Sequence, residues 1–114
     1  IALVGDVERS LFLGLPTGTA VEVAKKFAGF DIPIDSPDMG DAIGEMSNIF
    51  GGTVKAMLDP AGVKADISLP TVMRAEGLHM MSQRQTESQK TCYSSPMGKM
   101  WIGVVSGKNA GLMA

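Results

Sequence analysis

An antiparallel β-sheet with two helices packed on it, an α+β architecture, is what three features of this 114-residue chain predict. Two short apolar runs on either side of Asp6-Val7-Glu8 read as a hairpin near the start. Two later segments, 18–28 and 36–58, repeat their apolar residues at helical spacing. Beyond them the pattern alternates with a period of two over 63–69. It ends in an apolar run, Met100-Trp101-Ile102-Gly103-Val104-Val105, that suits a strand covered on both faces.

Residues 1–5 and 9–15 form the expected hairpin, and Pro16 stops its second strand. Thr17 is placed to cap a helix over 18–28, where Ala20, Val21, Ala24, Phe27 and Ala28 recur on one side and Glu22, Lys25 and Lys26 face away. Gly29 is the expected stop, since a residue without Cβ enters the left-handed conformation freely. The loop Phe30-Asp31-Ile32-Pro33-Ile34-Asp35 delivers the chain to the longer helix. There Ser36 is expected to cap, Pro37 takes the first helical position at no hydrogen-bond cost, and Asp38 faces the positive end of the dipole. Asp59-Pro60-Ala61-Gly62 breaks that helix. Over 63–69, Val63, Ala65, Ile67 and Leu69 alternate with Lys64, Asp66 and Ser68, and Pro70 ends the strand. Three more strands are expected at 79–86, 89–95 and 99–106, the first two polar enough for a solvent-facing hairpin, the last interior to the sheet. Residues 109–114 receive no assignment.

The length supports one domain over 1–114 with a single core. Apolar residues make up 45% and charged residues 19%, too apolar a balance for a disordered chain. A net charge of −2, with the ten Lys and Arg scattered, argues against a nucleic-acid partner. Cys92 is the only cysteine, so no internal disulfide forms and a reducing, cytoplasmic setting is expected. No apolar run approaches the roughly 20 residues that span a bilayer, and no segment resembles a signal peptide, so no membrane partner is expected. Nine methionines against four Phe, one Tyr and one Trp suggest a core filled by flexible side chains.

The long helix carries the chemistry. At about 100° per residue, Met39, Ala42, Ile43, Met46, Ile49, Phe50, Thr53, Val54 and Met57 share a broad apolar face expected to lie in the core. The same stepping gathers Asp41, Glu45, Asn48, Gly52 and Lys55 into a stripe roughly 80° wide on the other side. Glu45 and Asn48 are neighbours on that stripe. Gly40, Gly44, Gly51 and Gly52 are poor choices for helix stability, each costing about 1 kcal/mol relative to Ala. Gly44, Gly51 and Gly52 instead leave a surface flat enough for another molecule to approach the backbone. The asparagine amide offers donors and an acceptor suited to holding a water.

Asp41-x-x-x-Glu45-x-x-Asn48, followed after 21 residues by Pro70, resembles the signature of the CheX/CheC family of chemotaxis phosphatases. The order of Gly5-Asp6, Ser10-Leu11-Phe12-Leu13, the helix from Thr17, Asp41 to Gly52 and Ile67-Ser68-Leu69-Pro70-Thr71-Val72 follows the CheX pattern for about two thirds of the chain. The motif occurs once, as in CheX, where the CheC pattern has two copies. Three features depart from the family. Ile1 already reads as strand, so the domain is expected to lack the helix that usually precedes it. Arg9 stands where a glycine is usual in the first hairpin. Beyond Val72 no residue identifies the family.

The resemblance implies an α+β, CheX/CheC-like fold and an enzyme of two-component signalling. That enzyme is a phosphatase acting on the aspartyl phosphate of a phosphorylated, CheY-like response-regulator receiver domain. Mg²⁺ is then expected on the receiver, with no cofactor or metal in this chain. The resemblance assigns Asn48 to orienting the attacking water and Glu45 to pairing with the receiver's phosphate-contacting Lys. Asp41, Gly44, Gly51 and Gly52 become partner-binding residues, and a homodimer with joined sheets is implied. Two other readings stay open. One is a non-catalytic receiver-binding module resembling the flagellar switch protein FliM; the other is a dimerisation domain with a degenerate site. Without the resemblance, a polar stripe on an amphipathic helix is an ordinary solvated face. His79 has no Ser or Asp partner at a recognisable spacing, Cys92 reads as packing or simple exposure, and Gly5-Asp6 opens a hairpin rather than a phosphate loop. Pro70 reads as the end of the strand behind the site.

Overall fold

A computed structural model describes residues 1–76 and 87–106 of the chain. Its first hairpin pairs β1 (Ala2–Gly5) with β2 (Arg9–Gly14), Ala2 opposite Ser10 and Leu3 opposite Arg9. Gly5 has φ 148°, and a Cβ there would stand 2.5 Å from the Lys64 carbonyl oxygen. Only glycine admits that approach. The Asp6 N–H donates to the same oxygen at 2.8 Å, and the Asp6 carboxylate accepts the Lys64 N–H at 2.8 Å. The turn is thereby tied to the approach of a strand some sixty residues later.

Helix α1 (Thr17–Ala28) begins one residue before the expected start. Pro16 holds the cap position and its carbonyl accepts the Ala20 N–H at 2.9 Å, so Thr17 is in the first turn and caps nothing. Thr19 does more: its hydroxyl donates to the Lys99 carbonyl at 2.8 Å and pins α1 to the sheet. Gly29 closes the helix in the left-handed conformation, as expected. The helix buries Ala20, Val23 and Ala24, whereas Phe27, expected on the buried side, is 48% exposed in the last turn.

Helix α2 (Pro37–Leu58) has the expected bounds, with Pro37 opening it and a single 3-10 turn, Asp59–Ala61, following it. Ser36 stands at the cap position, but its hydroxyl turns back to donate to the Pro33 carbonyl at 2.8 Å. Strand β3 (Ala65–Ile67) is shorter than the expected 63–69. At its start, the Val63 N–H is taken by the Leu58 carbonyl at 3.2 Å, and Lys64 is engaged by Asp6. At its end, the partner strand β1 begins at Ala2, whose carbonyl accepts the Ser68 N–H at 2.9 Å, and no ladder remains for Leu69.

β4 (Glu87–Ser95) and β5 (Gly98–Ser106) complete the sheet in the order β3-β1-β2-β5-β4, every neighbouring pair antiparallel. β5 is interior, as its composition predicts; β4 is exposed and, among the described residues, is the edge strand. The expected strand at 79–86 and residues 109–114 lie outside the described residues. On β5, the Trp101 indole occupies the space a side chain at Gly14 would need, and Lys90 Nζ stands 4.9 Å from the ring centroid.

α2 is packed on two clusters in succession. Met39 and Ala42 join Ala24 and Ile32 beside α1; Phe50, Val54 and Leu58 pack on Leu3, Leu11 and Ala65 of the sheet. Changing supports along its length turns the buried arc by about 80° around the axis. That turn corrects the expected apolar face: Ile49 is 55% and Met57 73% exposed, and Thr53 is exposed too.

Candidate active site

Residues three or four apart on a helix lie on one face. Asp41, Glu45, Asn48 and Gly52 accordingly follow one another along the outside of α2, turned from both clusters. Asp41 and Glu45 are exposed and Asn48 is half-buried. Among the described residues, none of these three side chains finds a hydrogen-bond or ion-pair partner within the fold. The nearby hydroxyls are satisfied locally, Ser47 donating to the Ile43 carbonyl at 2.9 Å and Thr53 to the Ile49 carbonyl at 2.8 Å.

Lys55, expected on the same stripe, is drawn to the sheet, its Nζ 3.1 Å from Asp66 Oδ1 on β3. It ties helix to strand at the far end. The exposed polar face from Asp38 through Asp41 to Glu45 therefore keeps an acidic character.

The glycines divide. A Cβ at Gly52 would meet nothing within 4 Å, so the backbone one turn beyond Asn48 is open to an approaching molecule. Gly44 borders the site differently: a Cβ there would lie 3.6 Å from Val72 Cγ2 and 3.9 Å from Pro70 Cγ. Gly51 does not belong to the exposed stripe. It is buried, with a Cβ position 3.0 Å from Ile1 Cδ1 and 3.6 Å from Ile67 Cδ1. Its missing side chain lets α2 settle onto the sheet, because the buried arc has turned toward that side of the helix.

One part of the site goes unseen in the sequence. After β3 the chain runs as a strap along the Gly44 side of α2. Ser68 anchors it, donating its N–H to the Ala2 carbonyl and accepting the Ala2 N–H on Oγ at 2.8 Å. Pro70 and Val72 lie against Gly44, and Arg74 Nη1 donates to the Ile34 carbonyl at 3.0 Å, in the loop that leads into α2. β3 stops at Ile67, so Pro70 does not end the strand as expected; it stands instead at the flank of the site. The sequence signal was the placement of Pro70-Thr71-Val72 after the helical motif; the contact with Gly44 is tertiary.

A carboxylate and a carboxamide one turn apart on a packed helix can accept hydrogen bonds from a cationic donor and hold a water between donor and acceptor atoms. Cys92 is exposed on β4, which among the described residues lies at the end of the sheet opposite β3. Among the described residues no group of three His, Cys, Asp or Glu could hold a metal ion, and no helix is long and apolar enough to cross a membrane.

The family model described as chemotaxis phosphatase CheX matches residues 1–96. None of the curated proteins matches the chain. Among solved structures, the chemotaxis protein CheX from Desulfovibrio desulfuricans is similar with a TM-score of 0.81 and 21% identity, covering 90% of this chain and 69% of that one. The chemotaxis protein CheX from Vibrio vulnificus gives 0.79 and 23%, covering 90% of this chain and 70% of that one. A CheC-like superfamily protein from Shewanella sp. PV-4 gives 0.81 and 21%, covering 91% and 68%. These likenesses establish the fold, two helices on a five-stranded antiparallel sheet. The family match runs through the hairpin, both helices and β3, and so takes in the whole outward stripe; on that match the chain belongs to the CheX family of chemotaxis phosphatases.

Proposed function

We propose that this chain hydrolyses the aspartyl phosphate of a CheY-like receiver domain in the cytoplasm, with Asn48 and Glu45 as the working pair. The single observation that carries the reading is the outward placement of both side chains, unpartnered among the described residues, one turn apart on a helix held by two packed clusters. Acyl phosphate hydrolysis needs little covalent machinery. A water oxygen forms a bond to phosphorus, the bond from phosphorus to the aspartyl oxygen breaks, and its electron pair leaves with the carboxylate. The water's proton passes to phosphate or solvent. Most of the available acceleration comes from holding the water in line and balancing charge on the phosphoryl oxygens.

In this reading the Asn48 amide enters the receiver's pocket and holds the water in line. Glu45 accepts a hydrogen bond from the receiver's phosphate-contacting Lys and sets the register of the two proteins. Mg²⁺ bound by the receiver neutralises the phosphoryl oxygens. Asp41 lies one turn before Glu45 and adds negative charge opposite that cationic pocket, while Gly52 lets the partner come close.

The experiment is phosphate release from a CheY-type receiver domain phosphorylated with acetyl phosphate in Mg²⁺, freed of excess phosphodonor. Release accelerated by the chain supports the proposal. Stable binding without acceleration points to a FliM-like module, and the absence of both release and binding points to a dimerisation domain in which the pair has no role.

A further inference from the structure

Resting on that substrate class, we infer that residues 69–73 and Ile49 are the two apolar shoulders that seat the receiver domain. They would set how tightly it binds rather than how fast phosphate leaves. A specific protein partner covers about 800 Å² on each side, so a rounded footprint centred on the pair reaches roughly 16 Å in every direction. Gly44 is about 6 Å along the axis from Asn48 on the same face. Leu69 and Met73 each adjoin a residue packed on Gly44, so a receiver seated over Asn48 covers them.

The order around α2 is specific. From one side to the other it runs Gly44 with its strap, Asn48, Asp41, Gly52, Glu45 and then Ile49. Polar and acidic groups occupy the middle and apolar groups the borders. Leu69 is 87%, Met73 65% and Ile49 55% exposed. Exposed apolar residues bordering an unpartnered polar centre mark an interaction surface, and in such contacts a few side chains that become fully desolvated supply most of the affinity. Charge selects the occupant. The acidic centre complements a pocket that presents a lysine and a metal ion, and a receiver domain carries both.

The strap is held for the purpose at three places: Ser68 on Ala2, Pro70 with Val72 on Gly44, and Arg74 on the Ile34 carbonyl. Between these anchors the Leu69 and Met73 side chains are free to meet a partner without ordering the backbone first. Pre-ordering of this kind lowers the entropic cost of association.

The test is steady-state phosphate release with the same phosphorylated CheY-type receiver, comparing wild type with Leu69→Ser/Met73→Ser and with Ile49→Ser. All three positions are solvent-exposed, so circular dichroism and the thermal midpoint should stay at wild type. The expected result is a KM raised about tenfold in the double variant, with kcat unchanged. A wild-type KM in both variants overturns the inference while leaving the proposed activity standing. Wild-type protein that releases no phosphate overturns the activity first, and the shoulders with it.

Discussion

The Cγ2 methyl of Val72 packs onto the backbone of α2 at Gly44, 3.6 Å from where a Cβ would sit. The contact joins the chain after β3 to the helix four residues before Asn48, and makes the strap a wall of the site. An alanine at Gly44 would place its methyl at ordinary van der Waals distance and gain helix propensity. Gly44→Ala should therefore raise stability by about 1 kcal/mol in urea unfolding. Gly44→Leu should instead lose roughly 1–3 kcal/mol as the strap is pushed outward.

Gly51 tests the turning of the buried arc. Its Cβ position is 3.0 Å from the end of the Ile1 side chain and 3.6 Å from Ile67 Cδ1, so a branched residue forces α2 off the sheet. Gly51→Val should destabilise by about 1–3 kcal/mol. A neutral outcome in urea unfolding would place Gly51 back on the open face.

Gly52, with nothing within 4 Å of its Cβ position, should separate stability from binding. Gly52→Ala should stabilise the helix by about 1 kcal/mol. The added methyl projects beside Asn48 into the approaching partner, so KM for the phosphorylated receiver should rise several-fold, on the order of 1 kcal/mol of binding. Calorimetry and steady-state phosphate release on the same preparation read both effects.

The Lys55 to Asp66 pair spans 3.1 Å, but the Asp66 side chain is 91% and the Lys55 side chain 48% exposed. Exposed pairs of this kind contribute little. Asp66→Asn should move unfolding free energy by less than about 0.5 kcal/mol, at low salt as at high.

What could be read from the sequence follows from which features are local. α2 could be bounded to the residue because Pro37 and Asp59-Pro60 are backbone punctuation that acts within one turn, and Gly29 closed α1 for the same reason. The azimuth of Glu45 against Asn48 needs only the helical repeat. The side that Gly51, Ile49 and Met57 face could not be read so simply. It depends on α2 leaving α1 for the sheet midway, a tertiary event that a fixed 100° step does not encode. The length of β3 was equally hidden, since it is set by where β1 begins rather than by the alternation of Val63 to Leu69. Ser36 was rightly placed at the helix start, yet its hydroxyl chose the Pro33 carbonyl over the first turn of α2.

The central claim is that the Asn48 amide positions the water that takes the phosphoryl group, and the direct measurement is single-turnover phosphate release by Asn48→Ala. The side chain faces outward without a partner among the described residues, so the variant should fold and bind the receiver as wild type does. The account predicts a rate lowered by about 10² with affinity retained. Release at the wild-type rate from a properly bound receiver would contradict it.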